Sequence, residues 1–358
     1  MRVAIIGAGL SGLACAAECE KLGVIPHVFE KDDAIGWPWV TVGLWPTLIY
    51  KGFGDVPEYL RKSYDITLKP VARVTKNILK SPNKEVTLNG DLGYYVDRGR
   101  KIDSLENQLY RYLKRTAVYM NTPVDYKELA KEYDWVVIAT GREKEARELG
   151  VWEDLGGART ILVIVAGHFE PNSAILYLNT EYAGTGFARL SPFSKSTAGI
   201  GLNIFGKDDI DSMTLVDRLL EIEGLNKYEI LYHVVIPPFT NGRVSKFRIG
   251  NILLTGHSAG LVETLIGTGS LEAIISGIMA ARAIVRNESY DKLIKPIQNH
   301  VDNVSSLRPL MDRCTNEDFD KLLSYLDIIG VKQAAVNIPI DTVNMIGKVL
   351  KTFNHNKK

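Results

Sequence analysis

Three glycines near the start of the chain have the spacing of a phosphate-binding turn. They follow a short apolar run and precede a predicted helix from Leu13 to Leu22. Glycine there permits a tight turn and a close approach of the backbone to a pyrophosphate, while the start of the helix supplies free N–H groups. An acidic residue at the end of the next apolar run, about 20 positions later, has the spacing of a ligand for ribose hydroxyls. The sequence therefore predicts a dinucleotide site, for FAD or NAD(P), formed by Gly7, Gly9, Leu10, Ser11, Gly12, Glu30 and Lys31.

A second glycine cluster favours FAD over NAD(P) alone. Gly256-His-Ser-Ala-Gly260 is followed by the loop Gly267-Thr-Gly269 and a predicted helix from Ser270 to Val285. Together with the first glycine turn and Thr140-Gly141, this cluster resembles the geranylgeranyl reductase branch of the FAD-dependent aromatic hydroxylase superfamily. In that family the corresponding segments hold FAD, and the positive end of the helix would stabilise the negative charge of reduced flavin. The resemblance implies FAD contacts from Thr140, Gly141, Gly256, Gly267, Thr268 and Gly269.

Three further residues gain a role from this resemblance. His257 stands where the family has an aspartate that holds a ribityl hydroxyl, so it could contact flavin or substrate, or be satisfied within the turn. Arg98 follows Tyr95-Val-Asp97, similar to a family Val-x-x-Arg segment, and could hold flavin or a phosphate or be a solvated or salt-bridged arginine. Arg189 lies in the segment that shapes the pocket over the flavin in the family.

A loop rich in tryptophan is a candidate wall of the substrate site. Ile35 to Tyr50 contains Trp37, Trp39 and Trp45, and by resemblance this loop reaches the flavin. These aromatic rings could line an apolar pocket, or they could pack in the core or at a domain seam. The sequence does not identify the catalytic residues; the weak candidates are His257, Trp45 and Arg189.

The pattern of apolar runs predicts the elements that position these residues. A strand, glycine turn, helix and second strand within the first 30 residues form a parallel crossover unit. Short β-rich runs between Thr160 and Ile236 predict an antiparallel layer. The predicted fold is α/β: a glutathione-reductase-like FAD-binding Rossmann domain, an inserted antiparallel β-sheet cap domain and a helical C-terminal region. The predicted boundaries are 1–154 plus 246–290, 155–245 and 291–358.

Composition excludes several classes of protein. The chain has 358 residues and a formal charge of +1, which gives no electrostatic footprint for nucleic acid. Three cysteines and the absence of signal-peptide features predict a cytoplasmic location. No apolar stretch is long enough for a transmembrane segment, although peripheral lipid contact stays open. The histidines and cysteines lack metal-ligand spacing, so no metal site is expected. The oligomeric state is not indicated.

These features together predict a FAD-dependent oxidoreductase. The favoured reaction is hydride transfer from flavin N5 to a carbon–carbon double bond of a small apolar substrate of the isoprenoid type. The alternatives are a flavin-dependent monooxygenase of an aromatic substrate and a flavin-binding electron-transfer protein, because one fold serves several chemistries. The turn that ends in Ala259-Gly260, with no proline soon after, favours the reductase. The expected electron donor is NAD(P)H or a reduced electron-carrier protein.

Overall fold

The computed structural model describes residues 1–36, 42–207, 209–328 and 330–332. Two β-sheets carry most of the described chain, and helices cover them. The strands are β1 Val3–Ile6, β2 His27–Phe29, β3 Val42–Pro46, β4 Ala72–Ser81, β5 Lys84–Asp97, β6 Val118–Tyr119, β7 Trp135–Ile138, β8 Trp152–Ala166, β9 Ser173–Tyr177, β10 Phe187–Pro192, β11 Thr197–Ile204, β12 Glu229–Val244, β13 Arg248–Ile249 and β14 Ile252–Leu254.

The helices cluster after the strands they cover and at the C-terminal side. They are α1 Leu10–Lys21, α2 Thr47–Tyr50, α3 Val56–Tyr64, α4 Leu105–Tyr110, α5 Tyr126–Glu132, α6 Lys144–Glu148, α7 Thr180–Ala183, α8 Ser212–Ile222, α9 Ser270–Arg286, α10 Tyr290–Ser305, α11 Arg308–Met311 and α12 Asn316–Leu326. Short 3-10 turns span Lys51–Phe53 and Gly256–Ala259.

The first sheet confirms the predicted Rossmann-type unit. Its strand order is β13-β14-β7-β1-β2-β6, and its pairings are parallel except for the antiparallel edge pair β13–β14. Every residue of β1 and β14 is buried, as expected for strands covered on both faces. Helix α1 connects β1 to its parallel neighbour β2 and packs closely against α9. The glycine turn therefore lies at the carboxyl end of β1, next to the carboxyl end of β7.

The second sheet contains the predicted antiparallel layer and more. Its order is β12-β8-β11-β10-β9-β4-β5-β3, antiparallel except for the parallel pair β4–β9. The predicted strands of the cap are confirmed as β8 to β12. The sheet also includes β3, β4 and β5, from a part of the chain that the predicted boundaries assigned to the FAD-binding domain. These three strands join because β4 pairs with β9, which extends the same hydrogen-bonded ladder. The domain boundaries themselves stay a prediction.

Separate apolar clusters stabilise the layers. The largest surrounds β1, α1 and α9, and another lies between the second sheet and α8. Helix α12 buries Phe319 and Leu323 against β4 and β5. The predicted C-terminal helices are present as α10 to α12, and the rest of that prediction, including the polar tail, lies outside the described residues. In the part of the chain that the structure describes, no helix combines the length and apolarity needed to cross a membrane.

Candidate functional site

The separate glycine segments converge at one place in the structure. Gly7 has φ +103°, and a side chain there would lie 2.5 Å from the Ala139 carbonyl oxygen. A side chain at Gly12 would overlap the Gly7 carbonyl oxygen. One at Gly256 would lie 3.0 Å from Ser11 Oγ. Only glycine permits these approaches, so the first turn, the end of β7 and the Gly256 turn meet as the sequence resemblance implies.

Gly9, the middle glycine of the first turn, has open space where a side chain would be. No atom of the described residues lies within 4 Å of a Cβ placed on Gly9. Gly9 is the N-cap of α1, and no side chain of the described chain caps this end. The first-turn N–H groups of a helix have no partner within the helix, so they are available to phosphate oxygens. Backbone atoms crowd Gly7 and Gly12, whereas the space beside Gly9 is open. This arrangement leaves room for the pyrophosphate of a dinucleotide next to Gly9.

Glu30 connects the turn to the end of β2. The Ala8 N–H donates to Glu30 Oε2 over 2.7 Å, and the Asp32 N–H donates to Oε1 over 3.0 Å. The carboxylate is buried, and each oxygen retains capacity for a further donor. Glu30 could therefore hold a ribose hydroxyl, as predicted, while it also fixes the glycine turn. Lys31 lies on the surface, where its ammonium pairs with Asp32 at 3.1 Å.

Ser258 joins the two segments that follow β7 and β14. The Gly141 N–H donates to Ser258 Oγ over 3.0 Å, and the Thr140 hydroxyl lies 3.1 Å from the same oxygen. Thr140 also donates to Glu145. The sequence analysis assigned Thr140 and Gly141 to the cofactor but did not single out Ser258. A serine in a glycine turn has no distinctive spacing, so only the structure reveals it.

The His257 ring contacts the backbone of two other segments, and its contact with flavin or substrate stays a prediction. Its Nδ1 lies 3.0 Å from the Gly141 carbonyl oxygen and its Nε2 lies 2.9 Å from the Thr240 carbonyl oxygen. Both nitrogens thus lie close to backbone carbonyl oxygens. Burial lowers the pKa of His257, although the two carbonyl oxygens oppose that shift. Because neutral imidazole has one N–H, only one of the two contacts is a hydrogen bond in that state.

A buried carboxylate shapes the loop before α9. Glu263 accepts hydrogen bonds from the N–H groups of Leu265, Ile266 and Thr268 at 2.6 to 3.0 Å, and from the Thr268 hydroxyl at 2.9 Å. Burial raises the pKa of Glu263, while these donors oppose the shift. Glu263 thereby fixes the loop that contains Gly267, Thr268 and Gly269. Gly269 is the N-cap of α9, and no described side chain caps that helix.

The first turn of α9 is joined to the tryptophan loop. The Trp45 indole donates to Ser270 Oγ over 2.8 Å, and the ring is 1% exposed. Trp45 thus packs in the core at the seam with α9, which is the second of the two predicted alternatives. The predicted positions of Trp37 and Trp39 lie outside the described residues.

Three buried polar side chains extend this seam and were not predicted. The Tyr50 hydroxyl donates to Glu272 Oε2 over 3.1 Å, and His300 Nε2 lies 3.4 Å from Glu272 Oε1. The rings of Tyr50 and His300 stack with centroids 5.7 Å apart. Burial raises the pKa of Tyr50, and the charge of Glu272 adds to this effect. These residues come from three distant parts of the chain, so no local spacing indicated them.

The two predicted arginines differ in their partners. Arg98 pairs through Nε with Glu106 Oε1 at 2.7 Å, and Glu106 is fully buried. The Gly99 N–H donates to the other oxygen of that carboxylate. Arg98 therefore fixes the loop after β5, next to Gly36. Arg189 donates to the Val42 carbonyl oxygen over 3.0 Å, and among the described residues no carboxylate lies within ion-pair distance of it.

A cavity of about 540 Å³ lies beside the same loop. Thr264 borders it from the loop before α9, and Phe205 and Asn241 border it from the second sheet. The Arg308 guanidinium lies over the Phe205 ring, 4.5 Å from its centroid, and pairs with Asp312 at 2.7 Å. The volume of this cavity is within the usual range of small-molecule sites. Within the described residues, no group of three or more His, Cys, Asp or Glu could hold a metal ion.

Comparison with known proteins identifies relatives of this arrangement. The model of the pyridine nucleotide-disulphide oxidoreductase family matches residues 1–162. Digeranylgeranylglycerophospholipid reductase 3 of Methanosphaera stadtmanae is 22% identical over 96% of this chain and 95% of that protein. Digeranylgeranylglycerophospholipid reductase 1 of the same organism is 24% identical over 49% of this chain and 47% of that protein.

Solved structures share the fold over nearly the whole chain. A geranylgeranyl bacteriochlorophyll reductase-like protein from Thermoplasma acidophilum aligns with a TM-score of 0.73 at 17% identity, covering 98% of each chain. A p-nitrophenol 4-monooxygenase from Pseudomonas putida aligns with a TM-score of 0.64 at 13% identity, covering 98% of this chain and 97% of that one. The predicted resemblance is thereby confirmed, and the chain is a FAD-dependent oxidoreductase similar to the geranylgeranyl reductases.

Proposed function

We propose that this chain reduces a carbon–carbon double bond of an apolar, isoprenoid-type substrate, with FAD held by the converging glycine segments. The convergence of Gly7, Gly12 and Gly256 around an open Gly9 is the observation that carries the proposal. The names of the curated relatives support the reaction class and the substrate class. Bound FAD would supply a hydride from N5 to one carbon of the double bond, after its reduction by NAD(P)H or a reduced carrier protein. A pocket acid or water would donate a proton to the other carbon.

The residues of this chain would bind and orient the cofactor. The first-turn N–H groups of α1 would hold the pyrophosphate, and Glu30 would hold the ribose. The N-terminus of α9, which no described side chain caps, would stabilise the negative charge of the reduced ring. Glu263 keeps the loop before α9 in place through four hydrogen bonds, so this stabilising end is fixed in advance.

The second sheet would supply the substrate surface. Phe187 of β10 belongs to the same apolar cluster as Ile266 from the loop before α9, so this face of the sheet meets the proposed cofactor loop. Phe205, directly after the end of the neighbouring strand β11, borders the 540 Å³ cavity. An apolar substrate would gain about 25 cal/mol for each Å² of apolar surface removed from water there.

The test begins with the absorption spectrum of the purified protein loaded with FAD. The enzyme is reduced without oxygen and then mixed with geranylgeraniol, and flavin absorbance is followed together with the product mass. We expect reoxidation in the absence of air and a product that is two mass units heavier. The variant Gly9→Leu should lose FAD because its side chain fills the open cradle, while Gly52→Ala, whose Cβ meets no atom within 4 Å, should retain it.

Three results would overturn the proposal. A Gly9→Leu variant that binds FAD normally would refute the assigned cradle. Rapid reoxidation by air with hydroxylation of an aromatic substrate would establish the monooxygenase that the fold neighbour represents. Exchange of electrons with a redox protein, without conversion of any polyprenyl compound, would establish an electron carrier.

A further inference from the structure

Arg189 lies in the middle of the second sheet, on the face opposite the α8 cluster. Its neighbours in β10, Ala188 and Leu190, pack in that cluster, so strand alternation directs Arg189 to the other face. Across the sheet Arg189 stands between Leu176 of β9 and Gly201 of β11. A Cβ on Gly201 would meet only the Arg189 carbonyl oxygen, at 4.0 Å. The missing side chain leaves open space beside the arginine.

No carboxylate among the described residues compensates the positive charge of Arg189. One donor of the guanidinium reaches the Val42 carbonyl oxygen, and no carboxylate of the described residues lies within 4.0 Å. Burial lowers the pKa of Arg189, although an arginine in a protein stays charged. The nearby cations differ, because Arg98 pairs with Glu106 and Lys101 pairs with Asp97, each at 2.7 Å. A desolvated cation without a counter-charge is costly.

A second polar group on the same face also lacks a partner. Ser191, two residues beyond Arg189, is 4% exposed, and its hydroxyl makes no hydrogen bond of normal geometry with the described residues. The Tyr95 phenol lies beside it and donates to the Ser173 carbonyl oxygen over 2.8 Å. A buried hydroxyl without a partner costs about 1–3 kcal/mol. Arg189 thus presents a cation without a described counter-charge, and Ser191 places a hydroxyl on the same face, beside the Tyr95 phenol.

We propose that Arg189 and Ser191 bind a carboxylate at one end of the substrate. This inference rests on the proposed function and deepens it, because it restricts the substrate to apolar acids. A carboxylate accepts two parallel bonds from a guanidinium and a further bond from a hydroxyl. One cation compensates one negative charge, so a carboxylate fits where a phosphate dianion would leave charge buried.

The position of the pair accommodates an elongated molecule. Gly201 and Asn203 lie on one side of β11, because strand side chains alternate, and Phe205 directly follows the last residue of the strand. Phe205 borders the 540 Å³ cavity, and Gly201 borders Arg189. At about 3.3 Å per residue, the two ends are about 13 Å apart. An isoprenoid acid of three units would span this distance with its carboxylate at Arg189.

Binding to the FAD-loaded enzyme tests the inference by calorimetry, without turnover. The probes are farnesoic acid, farnesol and farnesyl monophosphate. We expect Arg189→Met to weaken farnesoic acid binding by about tenfold to a hundredfold, since hydrogen bonds to charged groups contribute about 1.5–3 kcal/mol. Arg189→Lys should retain part of the affinity, and farnesol binding should not change. Arg61→Met, which removes an exposed arginine paired with Glu58, serves as the matched control.

The outcomes separate this inference from the proposed reaction. Farnesoic acid that binds wild type and Arg189→Met equally would overturn the inference, while reduction of geranylgeraniol would still support the reaction. Tighter binding of farnesyl monophosphate than of farnesoic acid, with the same dependence on Arg189, would replace the carboxylate by a phosphate. Farnesoic acid that binds through Arg189 but never reoxidises the reduced enzyme would support the site and refute the reductase.

Discussion

A close contact between α1 and α9 provides a direct test of how the cofactor site is built. Helix α9 crosses α1 at Gly277, in the middle of its length. A methyl group at this position would overlap the Ser11 carbonyl oxygen and lie 2.9 Å from the carbonyl carbon and 3.0 Å from the Cys15 nitrogen. These are backbone atoms, which cannot rotate away. Gly277→Ala must therefore separate α1 from α9.

The expected change in the free energy of unfolding of Gly277→Ala combines two opposing effects. Overpacking costs about 1–3 kcal/mol, and we take the upper value because the neighbours are backbone atoms. Alanine is favoured over glycine in a helix by about 1 kcal/mol. The net loss is about 2 kcal/mol of the free energy of unfolding. With an unfolding entropy of about 2.1 cal/mol/K per residue, this lowers the Tm of a chain of 358 residues by about 3 °C.

The assay is thermal unfolding of the FAD-loaded protein, followed by circular dichroism, together with a FAD titration of the apoprotein. FAD should bind more weakly to Gly277→Ala, because Ser11 belongs to the phosphate turn and approaches Gly256. Gly52→Ala is the matched control, since its added methyl meets no atom within 4 Å and its Tm should change little. A Gly277→Ala protein as stable as wild type, or more stable, would show that helix propensity outweighs the steric contact and would refute the reasoning.

Three other substitutions test separate parts of the site. Glu30→Gln should weaken FAD binding about tenfold, measured by titration, because an amide has one acceptor oxygen where the carboxylate has two. Burial lowers the pKa of His257 in the folded state, so wild type should lose stability as pH falls below about 6.5, and His257→Gln should flatten this Tm profile between pH 7 and 5. Arg282→Met leaves buried Glu18 unpaired and should cost about 3–5 kcal/mol in urea unfolding, against at most about 1 kcal/mol for Arg61→Met.

The sequence predicted the structure best where the spacing of neighbouring residues specifies a turn. The strand, glycine turn and helix around Gly7 to Gly12 were predictable because each glycine has a separate steric reason that spacing reveals. The helix after Gly269 and the β-rich runs from 160 to 236 were predictable because their apolar periods differ clearly. Residues 72–97 were missed, although Pro82-Asn83 between two alternating runs is a recognisable hairpin signal.

The side-chain partners could not be predicted in the same way. The motif places His257 in the second glycine turn, but it does not reveal that the ring contacts Thr240, which comes from the second sheet. Glu272, Tyr50 and His300 meet only after three segments have packed, so no spacing in the chain encodes their contact. Sequence alone identifies which residues are suited to a site, whereas packing decides which of them remain free to meet a ligand.

The interleaved order of the two sheets has a consequence for synthesis on the ribosome. The parallel pair β4–β9 joins residues 76–80 to residues 173–177, and the second sheet is completed only by β12. The first sheet in turn needs β14, which ends at Leu254. The second sheet can therefore close only after Val244 has left the exit tunnel, and the first only after Leu254 has done so. Until then β8 lacks its partner β12 and β7 lacks its partner β14, so each exposes an unpaired strand edge. Such long-range pairing slows folding and favours aggregation, so the nascent chain should depend on chaperones that shield these strands.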